Sequence, residues 1–215
     1  AADRRKLSTQ SRGLASVVEH LELRALPSAS VLVVGGSELN ITLSLNDSVS
    51  VSVSSVSGAV VVQIGTSGGS QLPVEIGGLQ SNAVQSIVIT GGEEGNSIDL
   101  SSVLATDFIN LTSISVNGGN GDDSILGSND FADNFFGDDG DDTLNGQAGN
   151  DTLDGEDGAD VITGSTGNDS LSGGDGADTI DSGTGNDTVN AGNGADDVTL
   201  GDGDDVGNGA NGEDT

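Results

Sequence analysis

From Gly118 the chain reads GGNGDDSIL (Gly118–Leu126), GSNDFADNFF (Gly127–Phe136), GDDGDDTLN (Gly137–Asn145), GQAGNDTLD (Gly146–Asp154), GEDGADVIT (Gly155–Thr163), GSTGNDSLS (Gly164–Ser172), GGDGADTID (Gly173–Asp181), SGTGNDTVN (Ser182–Asn190), AGNGADDVT (Ala191–Thr199) and LGDGDDVGN (Leu200–Asn208), and runs on into GANGEDT. The shared pattern is G-G-x-G-x-D-x-U-x, with U bulky and apolar, and it recurs every nine residues. Six glycine-rich residues suit a tight turn, because glycine accepts positive φ without a Cβ clash. The closing x-U-x suits a short strand with U pointing inward. Two units then make one flattened coil with a turn on each side. Parallel coils stack about 4.8 Å apart, so turns n and n+2 lie one above the other.

One apolar residue per unit does not hold such a coil together. Burying a Leu or Ile stabilises by roughly 1.5–3 kcal/mol, while ordering nine backbones costs about 1–2 kcal/mol each. Main-chain ladders recover part of the difference, and the remainder calls for an ion. The charge distribution names its sign. The 215 residues carry 35 Asp+Glu against 5 Lys+Arg, a formal charge of -30, and all five basic residues lie in the first 24 positions. Between stacked turns, two aspartates and several turn carbonyls converge. Six to eight hard oxygen ligands suit Ca²⁺, whereas Mg²⁺ gives up its waters reluctantly.

Composition excludes much else. No Cys, Met, Trp or Tyr is present, and only four Phe and one His, so disulfides, thiolate metal sites and clusters of histidine ligands are ruled out. An acidic chain does not bind nucleic acid phosphates. No apolar stretch approaches the roughly 20 residues that span a bilayer.

Residues 118–215 closely resemble the calcium-binding RTX (repeats-in-toxin) family, on the fourth-position Gly, sixth-position Asp and eighth-position apolar residue of consecutive copies. The resemblance implies an all-β fold, a right-handed parallel β-roll or β-solenoid with rows of Ca²⁺ along both edges. Carried onto this chain, it makes Asp123, Asp133, Asp142, Asp151, Asp160, Asp169, Asp178, Asp187, Asp196 and Asp205 the metal ligands, with Asp214 in the following partial copy. The inward row is Ile125, Phe135, Leu144, Leu153, Ile162, Leu171, Ile180, Val189 and Val198. Turns paired n with n+2 give about nine ions at most, which would bring the formal charge from -30 to about -12. Three copies depart from the pattern. Gly127–Phe136 has an extra residue and lacks its turn glycines, which puts Asp133 in question. Gly207 replaces the inward residue of the copy Leu200–Asn208, and the partial copy leaves Asp214 without a partner above it. Third-position Asn120, Asp139, Asp157, Asp175, Asn193 and Asp202 are candidate additional ligands, though Ala148 and two Thr copies show that none is required there.

Upstream, four zones are expected: a basic, amphipathic segment 1–27, a β-rich region 28–83, irregular solenoid entry coils 84–117, and the repeats 118–215. Leu14, Val17, Val18, Leu21 and Leu23 fit a short helix before Pro27. Leu21-Glu22-Leu23-Arg24-Ala25-Leu26 resembles the LEPR-XLL leader of large extracellular planctomycete proteins, with Leu23 where that family has Pro. Leu39, Ile41, Leu43 and Leu45 alternate with polar residues, as do Val49, Val51 and Val53, and Val31–Val34 and Val60–Val62 are apolar runs. A small sandwich or the opening coils of a solenoid both fit.

Catalytic motifs are absent or isolated. Gly65-Thr66-Ser67-Gly68-Gly69 matches the G-x-S-x-G elbow, but the sole histidine, His20, lies upstream and no helix is expected after Ser67. Sequons at Asn150, Asn168 and Asn186 follow from the repeat itself, while Asn40, Asn46 and Asn110 stand outside it. The sequence is therefore that of a non-enzymatic, secreted or cell-surface calcium-binding structural protein, with open solenoid ends that suit homo-oligomers or head-to-tail fibres. The alternatives are the RTX tail of a larger enzyme, toxin or adhesin, and a calcium-dependent glycan-binding adhesin using residues 28–83.

Overall fold

The structure, a computed structural model, describes residues 19–21, 29–34, 38–43, 47–53, 59–66 and 72–209. Among the described residues the regular elements are all strands apart from one short 3-10 turn at Ser81–Ala83. The upstream ones are β1 (Glu19–Leu21), β2 (Ala29–Val34), β3 (Glu38–Leu43), β4 (Asp47–Val53), β5 (Ala59–Thr66), β6 (Leu72–Gln80), β7 (Ser86–Thr90), β8 (Ser97–Asp99) and β9 (Ser113–Asn120). In the repeats follow β10 (Ser124–Leu126), β11 (Asp133–Asp139), β12 (Thr143–Asn145), β13 (Thr152–Asp157), β14 (Val161–Thr163), β15 (Ser170–Asp175), β16 (Thr179–Asp181), β17 (Thr188–Asn193), β18 (Asp197–Thr199) and β19 (Val206–Asn208).

These strands form two sheets. The first runs β1-β2-β3-β7-β9-β11-β13-β15-β17-β19 and the second β6-β5-β4-β8-β10-β12-β14-β16-β18. From β7 onward the chain alternates between them, and every pairing is parallel. Leu153 registers with Leu171 and that with Val189 in one sheet, Leu144 with Ile162 and that with Ile180 in the other. The offset of 18 residues is the expected two-repeat coil. At the ten-residue copy it widens to 19, as in Val116↔Phe135 and Ile125↔Leu144. The architecture is a β-solenoid, and it extends back beyond the repeats: β3 pairs in parallel with β7, and β4 with β8. Antiparallel β1–β2 and β5–β6 add to these two sheets.

Two local expectations change. Glu19–Leu21 is a strand pairing with β2, not part of a helix, and the rest of the 14–23 run lies outside the described residues. The strands of the repeats alternate in length rather than all being x-U-x. β12, β14, β16 and β18 have three residues, while β13, β15 and β17 have six because pairing continues into the turn. At Gly207, expected to weaken the last coil, strand β19 is exposed throughout. Leu200, in the first position usually held by Gly, lies against it, with Leu200 Cδ1 3.1 Å from where a Cβ on Gly207 would sit, and packs on the core. Leu200→Ala should therefore cost about 1–2 kcal/mol, from the apolar area returned to water. Urea unfolding in saturating calcium measures it, and an unchanged midpoint would remove that role.

The core is a single file of inward residues from both sheets. Ile125, Phe135, Leu144, Leu153, Ile162, Leu171, Ile180 and Val189 are buried as expected, and Val198 packs against them partly exposed. Upstream the file broadens, because the loop between β8 and β9 contributes Leu100, Val103, Phe108 and Leu111, all buried. The ten-residue copy holds that loop in place. Asn129 Nδ2 donates to Ser101 O at 3.2 Å and Asp130 Oδ2 accepts from the Ala105 N–H at 2.9 Å.

Candidate metal centre

Each regular repeat buries three positions: the first, the sixth and the eighth. The eighth is the apolar core. The sixth is an aspartate, and Asp123, Asp133, Asp142, Asp151, Asp160, Asp169, Asp178, Asp187 and Asp196 are all at most 3 % exposed. In the glycine copies the aspartate carboxylate lies over the first position. A Cβ on Gly118, Gly137 or Gly155 would run into Oδ2 of Asp123, Asp142 or Asp160 respectively. Ser182 and Ala191 hold this buried position in two later copies.

The aspartates form two rows, one along each edge of the solenoid. In each row, Oδ1 accepts a hydrogen bond from the main-chain N–H of the sixth residue one coil earlier. On one edge the Asp123 N–H donates to Asp142 (2.7 Å), Asp142 to Asp160 (2.8 Å), Asp160 to Asp178 (2.9 Å) and Asp178 to Asp196 (3.0 Å). On the other, Asp133 donates to Asp151, Asp151 to Asp169 and Asp169 to Asp187, each at 2.8 Å, and Asp187 to Asp205 at 2.9 Å. Fifth-position side chains form a second ladder. Asn150, Asn168 and Asn186 Oδ1 accept from the N–H groups of Asn168, Asn186 and Asp204, 18 residues on. These three sequon asparagines are thus engaged within the turns.

The other carboxylate oxygen is different. Oδ2 of Asp123, Asp142, Asp151, Asp160, Asp169, Asp178 and Asp187 is buried and accepts no hydrogen bond. An unsatisfied buried anion is costly, and its expression is a shifted titration. Burial pushes Asp142, Asp151 and Asp160 up to about 7 and Asp123 to about 6, against the lowering effect of the N–H bond to Oδ1. Asp169 and Asp178 move up for the same reason, and in the rows neighbouring aspartates add to the rise.

The donor set fits a hard divalent cation: buried carboxylate oxygens lacking a partner, in turns rich in main-chain carbonyls. Among the described residues no three acidic or imidazole side chains gather around one point, so a cation here would draw most of its ligands from carbonyls. The candidate third-position side chains, Asn120, Asp139, Asp157, Asp175, Asn193 and Asp202, are all exposed. Asp205 is half-buried, and Asp214 and Ser67 lie outside the described residues.

Asp133 heads its row but differs from the rest. Its Oδ2 accepts from the Ser128 N–H at 2.7 Å, and Ser128 Oγ lies 3.1 and 3.3 Å from its two oxygens. Sequence reasoning also missed the head of the other row. Gly91–Asp99 reads GGEEGNSID, a degenerate copy in which Asn96 takes the place of Asp. Asn96 is buried, and its N–H donates to Asp123 Oδ1 at 2.5 Å. Ile98 in register with Ile125 was the available signal.

The RTX calcium-binding nonapeptide repeat (4 copies) matches the chain over residues 128–162, 154–189 and 181–215. No curated protein and no solved structure gives a significant match.

Proposed function

We propose, from the premise that residues 128–215 are RTX calcium-binding nonapeptide repeats, that this protein is a structural module ordered by Ca²⁺ outside the cell. The single observation that carries the reading is the file of buried, unpartnered Oδ2 atoms stacked coil over coil. Asp123, Asp142, Asp151, Asp160, Asp169, Asp178, Asp187, Asp196 and Asp205 would hold calcium together with turn carbonyls. The ion supplies positive charge between carboxylates of successive coils. Each aspartate does two jobs: Oδ1 fixes the coil spacing through a main-chain N–H, and Oδ2 faces the cation.

An extracellular setting suits this chemistry, because calcium modules there bind at roughly 10⁻⁴–10⁻³ M and calcium inside cells is scarcer. The leader-like run Leu21–Leu26 supports the same setting. Among the described residues no helix is long and apolar enough to cross a membrane. End-to-end stacking on β18 and β19, the last strands of the two sheets among the described residues, extends the proposal to fibres.

A calcium titration of the stripped protein, followed by far-UV circular dichroism near neutral pH, tests the reading. The β signal should rise cooperatively with a midpoint at about 10⁻⁴–10⁻³ M, and excess EGTA should reverse it. Electron microscopy of the same samples should show filaments with calcium alone. A spectrum indifferent to both additions would refute the calcium role, and dispersed particles would refute the fibre.

A further inference from the structure

We propose that Asn96 and Ser128 are the stops that end the two calcium rows, so that the first ion lies beyond Asp123 on one edge and beyond Asp151 on the other. This rests on the calcium reading above and specifies where it ceases to apply.

On the first edge the row changes chemistry without changing geometry. Asn96 occupies the place of the repeat aspartates: it is 4 % exposed, it sits over Gly91, and its N–H bonds to Asp123 Oδ1. Its side chain is an uncharged amide whose Oδ1 accepts from the Gly92 N–H at 3.0 Å. A cation between Asn96 and Asp123 would find one carboxylate where each later pair offers two.

On the second edge the carboxylate is kept and the vacancy is filled. Asp133 is buried like its neighbours, but Ser128 brings an N–H and an O–H to its oxygens. Ser128 is itself completely buried, and its Oγ is fixed by the Phe131 N–H at 3.2 Å. Two hydrogen-bond donors thus stand where the other aspartates present a bare oxygen. One coil before Ser128, the loop between β8 and β9 brings in the buried side chains of Phe108 and Leu111 instead.

Pairing what remains gives about four ions on the Asp123 edge and about three on the Asp151 edge. The experiment counts calcium bound at saturation, by equilibrium dialysis of the full chain and by native mass spectrometry. Asp133→Asn should leave the count unchanged, Asp151→Asn should lower it by one, and Asn96→Asp should raise it by one. Loss of an ion in Asp133→Asn equal to that in Asp151→Asn overturns the inference, as does a folded Asn96→Asp that gains none. Should Asn96→Asp fail to fold in calcium, the comparison of the isosteric Asp133→Asn and Asp151→Asn decides alone. A parent protein that binds no calcium would remove the underlying reading as well, and that result is visible before any variant is compared.

Discussion

Freed of metal, the protein should be more ordered at about pH 5 than at about pH 7.5, the reverse of ordinary acid denaturation. Buried Asp142, Asp151 and Asp160 hold their protons up to about pH 7 in the folded chain, and Asp123 and Asp133 up to about 6. In the unfolded chain an aspartate releases its proton near 3.9. The folded state therefore binds more protons throughout the window between about pH 4 and about pH 7. Where the folded state binds more protons, stability falls as pH rises. The metal-free solenoid is thus fully supported below about pH 4 and loses that support on the way to about pH 7. Self-repulsion of a chain with formal charge -30 acts in the same direction.

Calcium inverts the dependence, because the ion must displace those protons. Its apparent affinity should weaken as pH drops below about 7. Circular dichroism of resin-stripped protein across this range, with and without calcium, measures both arms. A metal-free chain with more β structure at about pH 7.5 than at about pH 5 would contradict the assignment of the buried carboxylates.

Gly167→Ala should be among the most damaging single methyls in the repeats, at about 3 kcal/mol or more. Gly167 stands at φ 146°, a conformation available to glycine, and its Cβ would overlap the Gly149 carbonyl oxygen of the coil before it. Backbone strain of this kind costs on the order of 1–3 kcal/mol by itself. Relief by separating the coils would break the Gly149 N–H bond to Thr166 O and pull Asp151 away from Asp169. Calcium-driven folding should then require a several-fold higher midpoint, and thermal unfolding in saturating calcium should come earlier. Ser165→Gly in the same turn is the control. Ser165 already sits at φ 75°, so glycine there relieves strain and should leave stability equal or slightly raised. Gly167→Ala within about 0.5 kcal/mol of the parent would show that the turns are looser than the stacked geometry requires.

The nine-residue period made the solenoid legible, because an apolar residue two places after each aspartate fixes both the inward row and the phase of the turns. Asp142 with Leu144 and Asp160 with Ile162 follow that rule to the residue. The rule fails where another interaction takes over a position. Gly91–Asp99 belongs to the same coil series, but Asn96 replaces the aspartate and the loop bearing Phe108 interrupts the spacing. The contact of Leu200 with Gly207 joins two positions of one coil, so neither residue read alone shows it. At the site, the buried sixth position could be read from composition and period. The closeness of the carboxylate to the first position could not, because it depends on where the side chain folds back. Asp133 stands at the ligand position of a copy that its extra residue and missing glycines put in question, and the Ser128 contacts show how it differs from the others.

A gene encoding this register gains height in whole coils. Eighteen residues copied in between Gly137 and Ser182 return the chain to the same sheet, the same edge and the same ladder, and add about 4.8 Å of height. Nine residues would exchange the edges, setting Ala148- and Thr166-type turns above those of Asp139 and Asp157. Duplication in even steps leaves both stops and the Leu200 seat untouched, which makes reach the property that selection can adjust most freely.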